Sequence, residues 1–159
     1  KVILPEPQPL LTPESKMPGL DGQKMSKSYN NYIGLREHPD SVAQKVRTMQ
    51  TDPQRVRRTD PGEPEKCPVW GLHKVYSDAK TREWVQTGCR SAGIGCLDCK
   101  KPLIDSIIEE QRPLHERAKE YESNPDLVHA IIEEGCEHAR DAARDTLEEV
   151  RAAMGLSYR

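Results

Sequence analysis

The chain has 159 residues, of which 35% are hydrophobic, 4% aromatic and 31% charged, with a formal net charge of −2 and no phenylalanine. This length suits one domain with part of a second, and the apolar content is low for a large core. No stretch approaches the roughly 20 apolar residues that span a bilayer and no signal-peptide pattern is present, so we expect a cytoplasmic protein without a membrane partner.

The hydrophobic pattern predicts a mainly helical chain with one strand. Residues 12–22 and 51–68 are rich in proline and glycine and are expected to be loops. In chain order the predicted elements are a strand at residues 2–4, a helix that begins at Ser41, helices over 69–79 and 80–87, a helix over 102–121 that Pro113 kinks or interrupts, and a long helix that Asn124 caps and Gly155 ends.

The charge is unevenly distributed along the chain. Residues 24–60 contain eight Lys/Arg and four Asp/Glu, whereas residues 100–159 contain nine Lys/Arg and fourteen Asp/Glu. The basic part suits an anionic ligand such as a nucleotide or RNA. The acidic part is typical of solvated helix faces.

A basic, glycine-led segment, GQKMSKSYNNYI, occupies residues 22–33. Its centre is Lys24-Met25-Ser26-Lys27-Ser28, which places two ammonium groups three residues apart with hydroxyl groups beside them. Such a segment is either a solvated surface turn or a mobile clamp for a phosphate chain.

Four of the five cysteines fall in one window, segment 67–99, with the spacing C-x21-C-x6-C-x2-C. In the absence of a secretory signal these thiols favour a metal centre over disulfides, either a 4Fe–4S cluster or a structural Zn²⁺. The basic residues beside them would offset the negative charge of either centre. The four are Cys67, Cys89, Cys96 and Cys99; the fifth, Cys136, lies on the apolar stripe of the last helix and is expected to be buried.

The pentapeptide KMSKS resembles the second signature of the class I aminoacyl-tRNA synthetases. The stretches LPEPQPLLT, PGLDGQKMSKSYNNYI, TDPQRVRRTDPGEPEKCPVWGLHKVY and TLEEVRAAMGL are similar to the bacterial tryptophanyl-tRNA synthetase family, and this resemblance covers nearly the whole chain. The cysteine window resembles one branch of that family, with one residue fewer between its first two cysteines.

The resemblance implies the end of a Rossmann-type α/β domain, with its last strand and lysine loop, in residues 1–35. A helical anticodon-binding domain would follow in residues 36–159. The implied activity is ATP-dependent activation of tryptophan, with Mg²⁺, and its transfer to tRNA(Trp) by a homodimeric full-length enzyme.

The family's site residues carry over to matching positions of this chain. Lys24 and Lys27 would be catalytic, and Lys24, Met25, Ser26, Lys27 and Ser28 would bind ATP. The four cysteines would hold a 4Fe–4S cluster, with Zn²⁺ as the alternative. Arg55, Arg57 and Arg58 are candidate tRNA contacts, and a solvated basic run explains them equally well.

Part of the implied active site has no counterpart in this chain. The family's first, histidine-containing signature is missing, and so is a pocket that would read the indole ring. We therefore expect a fragment that is inactive alone. A tyrosyl-tRNA synthetase fragment and a non-catalytic iron–sulfur or zinc module that binds RNA or protein are the alternatives.

Overall fold

The computed structural model describes residues 2–156, and the regular structure there is helical. Its elements are α1 (Pro39–Thr48), a 3₁₀ turn (Pro64–Lys66), α2 (Pro68–Tyr76), α3 (Ala79–Arg90), α4 (Cys96–Ser123) and α5 (Pro125–Ala153). The chain divides into two compact units: Leu11–Glu116 is one, and Lys1–Leu10 with Arg117–Arg159 is the other. The prediction of a mainly helical fold is confirmed.

Side-chain caps define where several helices begin. The Asp78 carboxylate accepts a hydrogen bond from the Thr81 N–H at 2.7 Å at the start of α3. Asn124 caps α5 by accepting from the Leu127 N–H at 3.2 Å, and Pro125 follows it. These caps satisfy backbone donors that have no partner within the helix, which explains why the sequence signals were informative.

The apolar core of the unit Leu11–Glu116 lies between α1, α2 and the first half of α4. Each helix contributes residues spaced three or four apart, as expected for packed helix faces. The core residues are Val42, Val46, Met49, Val69, Leu72, Leu103, Ile104 and Ile107.

Lys100 is buried beside this core, with 3% of its surface exposed. Its Nζ donates hydrogen bonds to the carbonyl oxygens of Arg47 at 2.8 Å and Met49 at 2.6 Å. These carbonyls lie at the C-terminal end of α1, where backbone acceptors lack helical partners and a cation is favoured. Lys100 therefore joins the start of α4 to the end of α1.

Helix α4 differs from the prediction in its start and its continuity. It begins at Cys96, before the predicted start at residue 102, and it continues through Pro113. On either side of Pro113, Gln111 Nε2 donates to the Gly34 carbonyl at 3.0 Å and His115 Nε2 to the Glu37 carbonyl at 3.2 Å. These anchors offset the backbone hydrogen bond that a proline removes from a helix.

Two expectations at the ends of the chain are wrong. Residues 2–4 form no strand, since Val2 and Leu4 are 80% and 67% exposed and no neighbouring strand is present within residues 2–156 to pair with them. Cys136 is exposed, and the described part of α5 has no buried residue. Within residues 2–156, no helix is both long and apolar enough to cross a membrane.

Candidate functional site

The lysine motif forms the second arm of a tight turn. The N–H of Gly19 donates to the Gln23 carbonyl at 2.6 Å, and Pro18 and Lys24 form an antiparallel bridge. At the tip, Gly22 has a φ of +80°, a conformation that side chains disfavour. The glycine that leads the motif is therefore needed for the turn.

Beyond this turn the backbone of the motif is held in place while its lysines are exposed. The N–H of Met25 donates to the Met17 carbonyl at 2.9 Å, and the N–H of Ser28 donates to Ser26 Oγ at 3.2 Å. Lys24 and Lys27 are exposed and have no ion-pair partner among residues 2–156. The arrangement offers two ammonium groups to an anion from a structured turn.

Asn31 stabilises this turn through hydrogen bonds of its side chain, and nothing in the sequence singled it out. It is 4% exposed, and its side chain contacts the backbone of Lys24 and Ser26 as well as the Asp21 carboxylate. Nothing in the pattern Tyr-Asn-Asn-Tyr separates it from its exposed neighbour Asn30. Only the placement of the chain shows which of the two amides is buried.

The structure brings the four predicted metal-binding cysteines to one cavity. Cys67 is the residue before α2, Cys89 lies in the last turn of α3, and Cys96 and Cys99 lie in the first turn of α4. Three helix ends thus deliver four thiols to the same place. The cavity is lined by Thr51, Asp52, Arg55, Cys67, Val69, Cys89, Cys96 and Cys99.

Burial shifts the pKa of three of these four thiols. It raises the pKa of Cys67 and Cys89 and raises that of Cys99 to about 12, with repulsion among the four groups adding to the effect. Hydrogen bonds from the N–H groups of Val69 and Trp70 partly oppose this at Cys67. Without a bound cation, Cys67, Cys89 and Cys99 therefore stay protonated, so binding a metal there releases protons.

The donor set fits a thiolate-bound centre, but the thiols do not form a closed site for one ion. Among residues 2–156, no group of three or more His, Cys, Asp or Glu side chains is placed to hold a metal ion. A single zinc requires four sulfurs about 2.3 Å from one point. A four-iron cluster places each thiolate on a different iron, so its ligands stand further apart.

Arg55 lies inside the protein, which corrects its assignment as a tRNA contact. It is 8% exposed, its Nη1 lies 3.8 Å from Cys89 Sγ, and its Nη2 donates to the carbonyls of Arg58 at 3.0 Å and Ile94. The guanidinium therefore contacts a thiol of the cysteine cavity and donates its hydrogen bonds to loop carbonyls. A run of three arginines does not show from sequence which member turns inward.

Arg57 and Arg58 are exposed, as a nucleic-acid contact requires. They line a surface concavity of about 370 Å³ beside Cys96, whose walls include Val56 and Leu97, 83% and 62% exposed. Arg58 also lies 3.7 Å from the Asp98 carboxylate. Exposed arginines of this kind suit contacts with the phosphates of a nucleic acid.

The family model for class I tRNA synthetases (W and Y) matches residues 1–111. The chain belongs to this family. It is 66% identical over 158 residues to the tryptophan–tRNA ligase of Ralstonia nicotianae, covering 99% of this chain and 40% of that protein. It is 43% identical to the tryptophan–tRNA ligase of Thermotoga maritima, covering 98% of this chain and 48% of that one.

A solved structure shares the fold. The tryptophanyl-tRNA synthetase of Campylobacter jejuni, solved with ADP and tryptophan, superposes with a TM-score of 0.72 at 24% identity, over 89% of this chain and 44% of that chain. The chain therefore spans less than half the length of these tryptophanyl-tRNA synthetases. The missing first signature and indole pocket agree with this partial coverage.

Proposed function

We propose that this chain is the C-terminal part of a tryptophan–tRNA ligase, with the end of the catalytic domain in residues 1–35 and the anticodon-binding domain in residues 36–159. The observation that carries the proposal is the lysine turn: Lys24 and Lys27 are exposed on a hydrogen-bonded backbone in a chain of this family. The names of the similar proteins support tryptophan as the amino acid.

In this reaction the carboxylate of tryptophan attacks the α-phosphate of ATP, and pyrophosphate leaves with its Mg²⁺. Negative charge grows on the leaving group as the bond breaks. Lys24 and Lys27 stabilise that charge. Met25 and the hydroxyls of Ser26 and Ser28 complete the ATP-binding segment. Because the lysines bind the developing pyrophosphate better than intact ATP, they raise the rate more than the affinity.

Transfer of the activated amino acid requires tRNA(Trp), which the helical part would recognise. Arg57 and Arg58 are the proposed contacts, supported by their exposure beside the concavity at Val56 and Leu97. The full-length protein is proposed to act as a cytoplasmic homodimer.

The four cysteines are proposed to hold a 4Fe–4S cluster, with Zn²⁺ as the alternative. The convergence of Cys67, Cys89, Cys96 and Cys99 on one cavity supports a shared thiolate centre. Arg55 and Lys100 are buried cations near these thiols, and they would offset the charge of about −2 that four thiolates leave on either centre. Such a centre would crosslink three helix ends, which is a structural role, since activation of the amino acid involves no electron transfer.

The test is amino-acid-dependent exchange of pyrophosphate into ATP by the full-length protein that contains this chain. We expect exchange with tryptophan and none with tyrosine, and no exchange by the 159-residue chain alone. Exchange that requires tyrosine would identify the tyrosine enzyme, and no exchange with either amino acid would favour a non-catalytic module.

A further inference from the structure

Asn31 occupies a buried position at the end of the lysine turn. Its own carbonyl accepts a hydrogen bond from the Leu20 N–H at 2.9 Å, which ties it to the first arm of the turn. Its side chain then extends between the two arms. A Cβ built on Gly19 would lie 2.4 Å from Asn31 Nδ2, so the glycine leaves the space that this amide fills.

The side chain of Asn31 holds both peptide groups that flank Met25. Its Oδ1 accepts from the Ser26 N–H at 2.7 Å, and its Nδ2 donates to the Lys24 carbonyl at 3.2 Å. The second hydrogen of Nδ2 is donated to Asp21 Oδ1 at 2.7 Å. All three bonds are made by one side chain with few rotatable bonds.

Only an amide in this orientation satisfies the three partners. Two partners of Nδ2, the Lys24 carbonyl and the Asp21 carboxylate, are acceptors, while the partner of Oδ1 is a donor. The hydrogen bond from Asn31 is the main reason that the pKa of Asp21 is lowered, so Asp21 stays an ionised acceptor. A carboxylate at position 31 would face two acceptors at hydrogen-bonding distance.

We propose that Asn31 is a positioning residue for the lysine motif: its amide fixes the backbone at Lys24 and Ser26 and thereby directs the Lys24 and Lys27 ammonium groups at the pyrophosphate leaving group. This inference rests on the proposed function. Electrostatic stabilisation is effective only when the charged groups are oriented before the reaction. Losing that orientation lowers kcat, while ATP affinity, which depends on many other contacts, changes little.

The decisive variant is Asn31→Asp, which keeps the size of the side chain and removes both donated hydrogen bonds. Its matched control is Asn30→Asp, which introduces the same charge at the exposed neighbouring position. A second variant, Asn31→Ala, removes the contacts without introducing a charge. In a rescue variant, Asp21→Asn is added to Asn31→Asp and supplies an amide donor opposite the new carboxylate.

Two readouts are measured on the full-length protein. The first is amide hydrogen exchange of the peptide that covers residues 24–31, with α1 as the internal reference for an intact fold. The second is tryptophan-dependent pyrophosphate exchange as a function of ATP concentration. We expect Asn31→Asp to speed amide exchange in residues 24–31 and to lower kcat, each by about tenfold, with a much smaller change in the KM for ATP.

The control and the rescue variant complete the expected pattern. Asn30→Asp leaves both readouts unchanged. Asn31→Ala speeds amide exchange and lowers kcat, as Asn31→Asp does. Adding Asp21→Asn to Asn31→Asp restores part of the loss. Unchanged amide exchange in both Asn31 variants would overturn the inference. So would faster amide exchange with unchanged kcat. A wild-type protein that lacks tryptophan-dependent exchange would instead refute the proposed function, and amide exchange would still test the hydrogen bonds of Asn31.

Discussion

His73 and Cys99 are in contact, with 3.3 Å between the imidazole Nε2 and the thiol sulfur. The other ring nitrogen lies 2.8 Å from Ser77 Oγ, and burial lowers the pKa of His73 to about 4. The ring is therefore neutral near pH 7 and carries one N–H. This contact ties α2 to the first turn of α4, so packing already fixes one side of the cysteine cavity without a metal.

The metal prediction follows from the convergence of the four thiols. Protein purified without oxygen should contain about four iron and four sulfide per chain, with broad visible absorbance. Cys99→Ser should strip the iron and speed amide exchange in residues 91–95, the connection between α3 and α4. Iron content is measured by elemental analysis.

Cys136→Ser is the matched control, because Cys136 is exposed on α5 and does not line the cavity. It should retain the full iron content. Stoichiometric zinc without iron in protein prepared without oxygen would contradict the cluster and support the structural zinc site.

A second prediction separates the buried arginine from its exposed neighbours. Arg55→Leu removes donors from the Arg58 and Ile94 carbonyls and should lower the free energy of unfolding by about 1–3 kcal/mol. Arg57→Leu, at an exposed site, should change it by less than about 0.5 kcal/mol. Denaturant titration measures both, and equal effects would mean that Arg55 has no structural role.

Much of the fold was readable from local signals, and the exceptions depend on distant residues. Some signals involve only residues three or four positions apart, so they can be recognised in the sequence. Examples are the cap at Asn124 and the apolar spacing of Val42, Val46 and Met49. The passage of α4 through Pro113 depends on Gln111 and its long-range partner Gly34. The apolar periodicity near Pro113 does not indicate this long-range contact.

A third prediction concerns tRNA. Arg57→Glu together with Arg58→Glu should weaken binding of tRNA(Trp) and reduce the slope of log K against log salt by about one per lost phosphate contact. Arg140→Glu, an exposed change on α5, should leave that slope unaltered. Binding is measured by titration at several salt concentrations. An unchanged slope in the double variant would show that these arginines do not contact phosphate.

A fourth prediction uses the half-buried carboxylate of Glu37. Burial alone would raise its pKa, but hydrogen bonds from Lys45, Ser41 and the Gly34 N–H outweigh burial and hold the pKa below the ordinary value of 4.5. The folded state then binds fewer protons than the unfolded state in that range. The stabilisation by Glu37 is present above pH 4.5 and is lost as pH falls through the lowered pKa.

The stability difference between wild type and Glu37→Gln should therefore shrink as pH falls from about 6 to about 3. Thermal or denaturant unfolding across this range measures it, with Glu133→Gln as the exposed comparison on α5. A difference that is constant with pH, or one that shrinks equally in Glu133→Gln, would refute the role assigned to Glu37.

The sequence predicted those residues of the candidate site that belong to a recognisable motif. It did not predict the residues that only the fold brings next to that motif. The lysines were predicted from a motif resemblance and the cysteines from their spacing, and both assignments stay predictions. Asn31, Arg55 and His73 were missed or misassigned because their partners lie up to 39 residues away. The apolar stripe containing Cys136 indicated a packing face, but Cys136 is exposed and the described part of α5 has no buried residue.

The most direct measurement is the rate of tryptophan-dependent pyrophosphate exchange by the full-length protein carrying Lys27→Ala. We expect a fall in kcat of about 10²-fold with a smaller change in the KM for ATP, because Lys27 acts on the leaving pyrophosphate. Lys80→Ala, which removes an exposed lysine on α3, should retain the wild-type rate. An unchanged kcat in Lys27→Ala would show that the motif is only a surface turn.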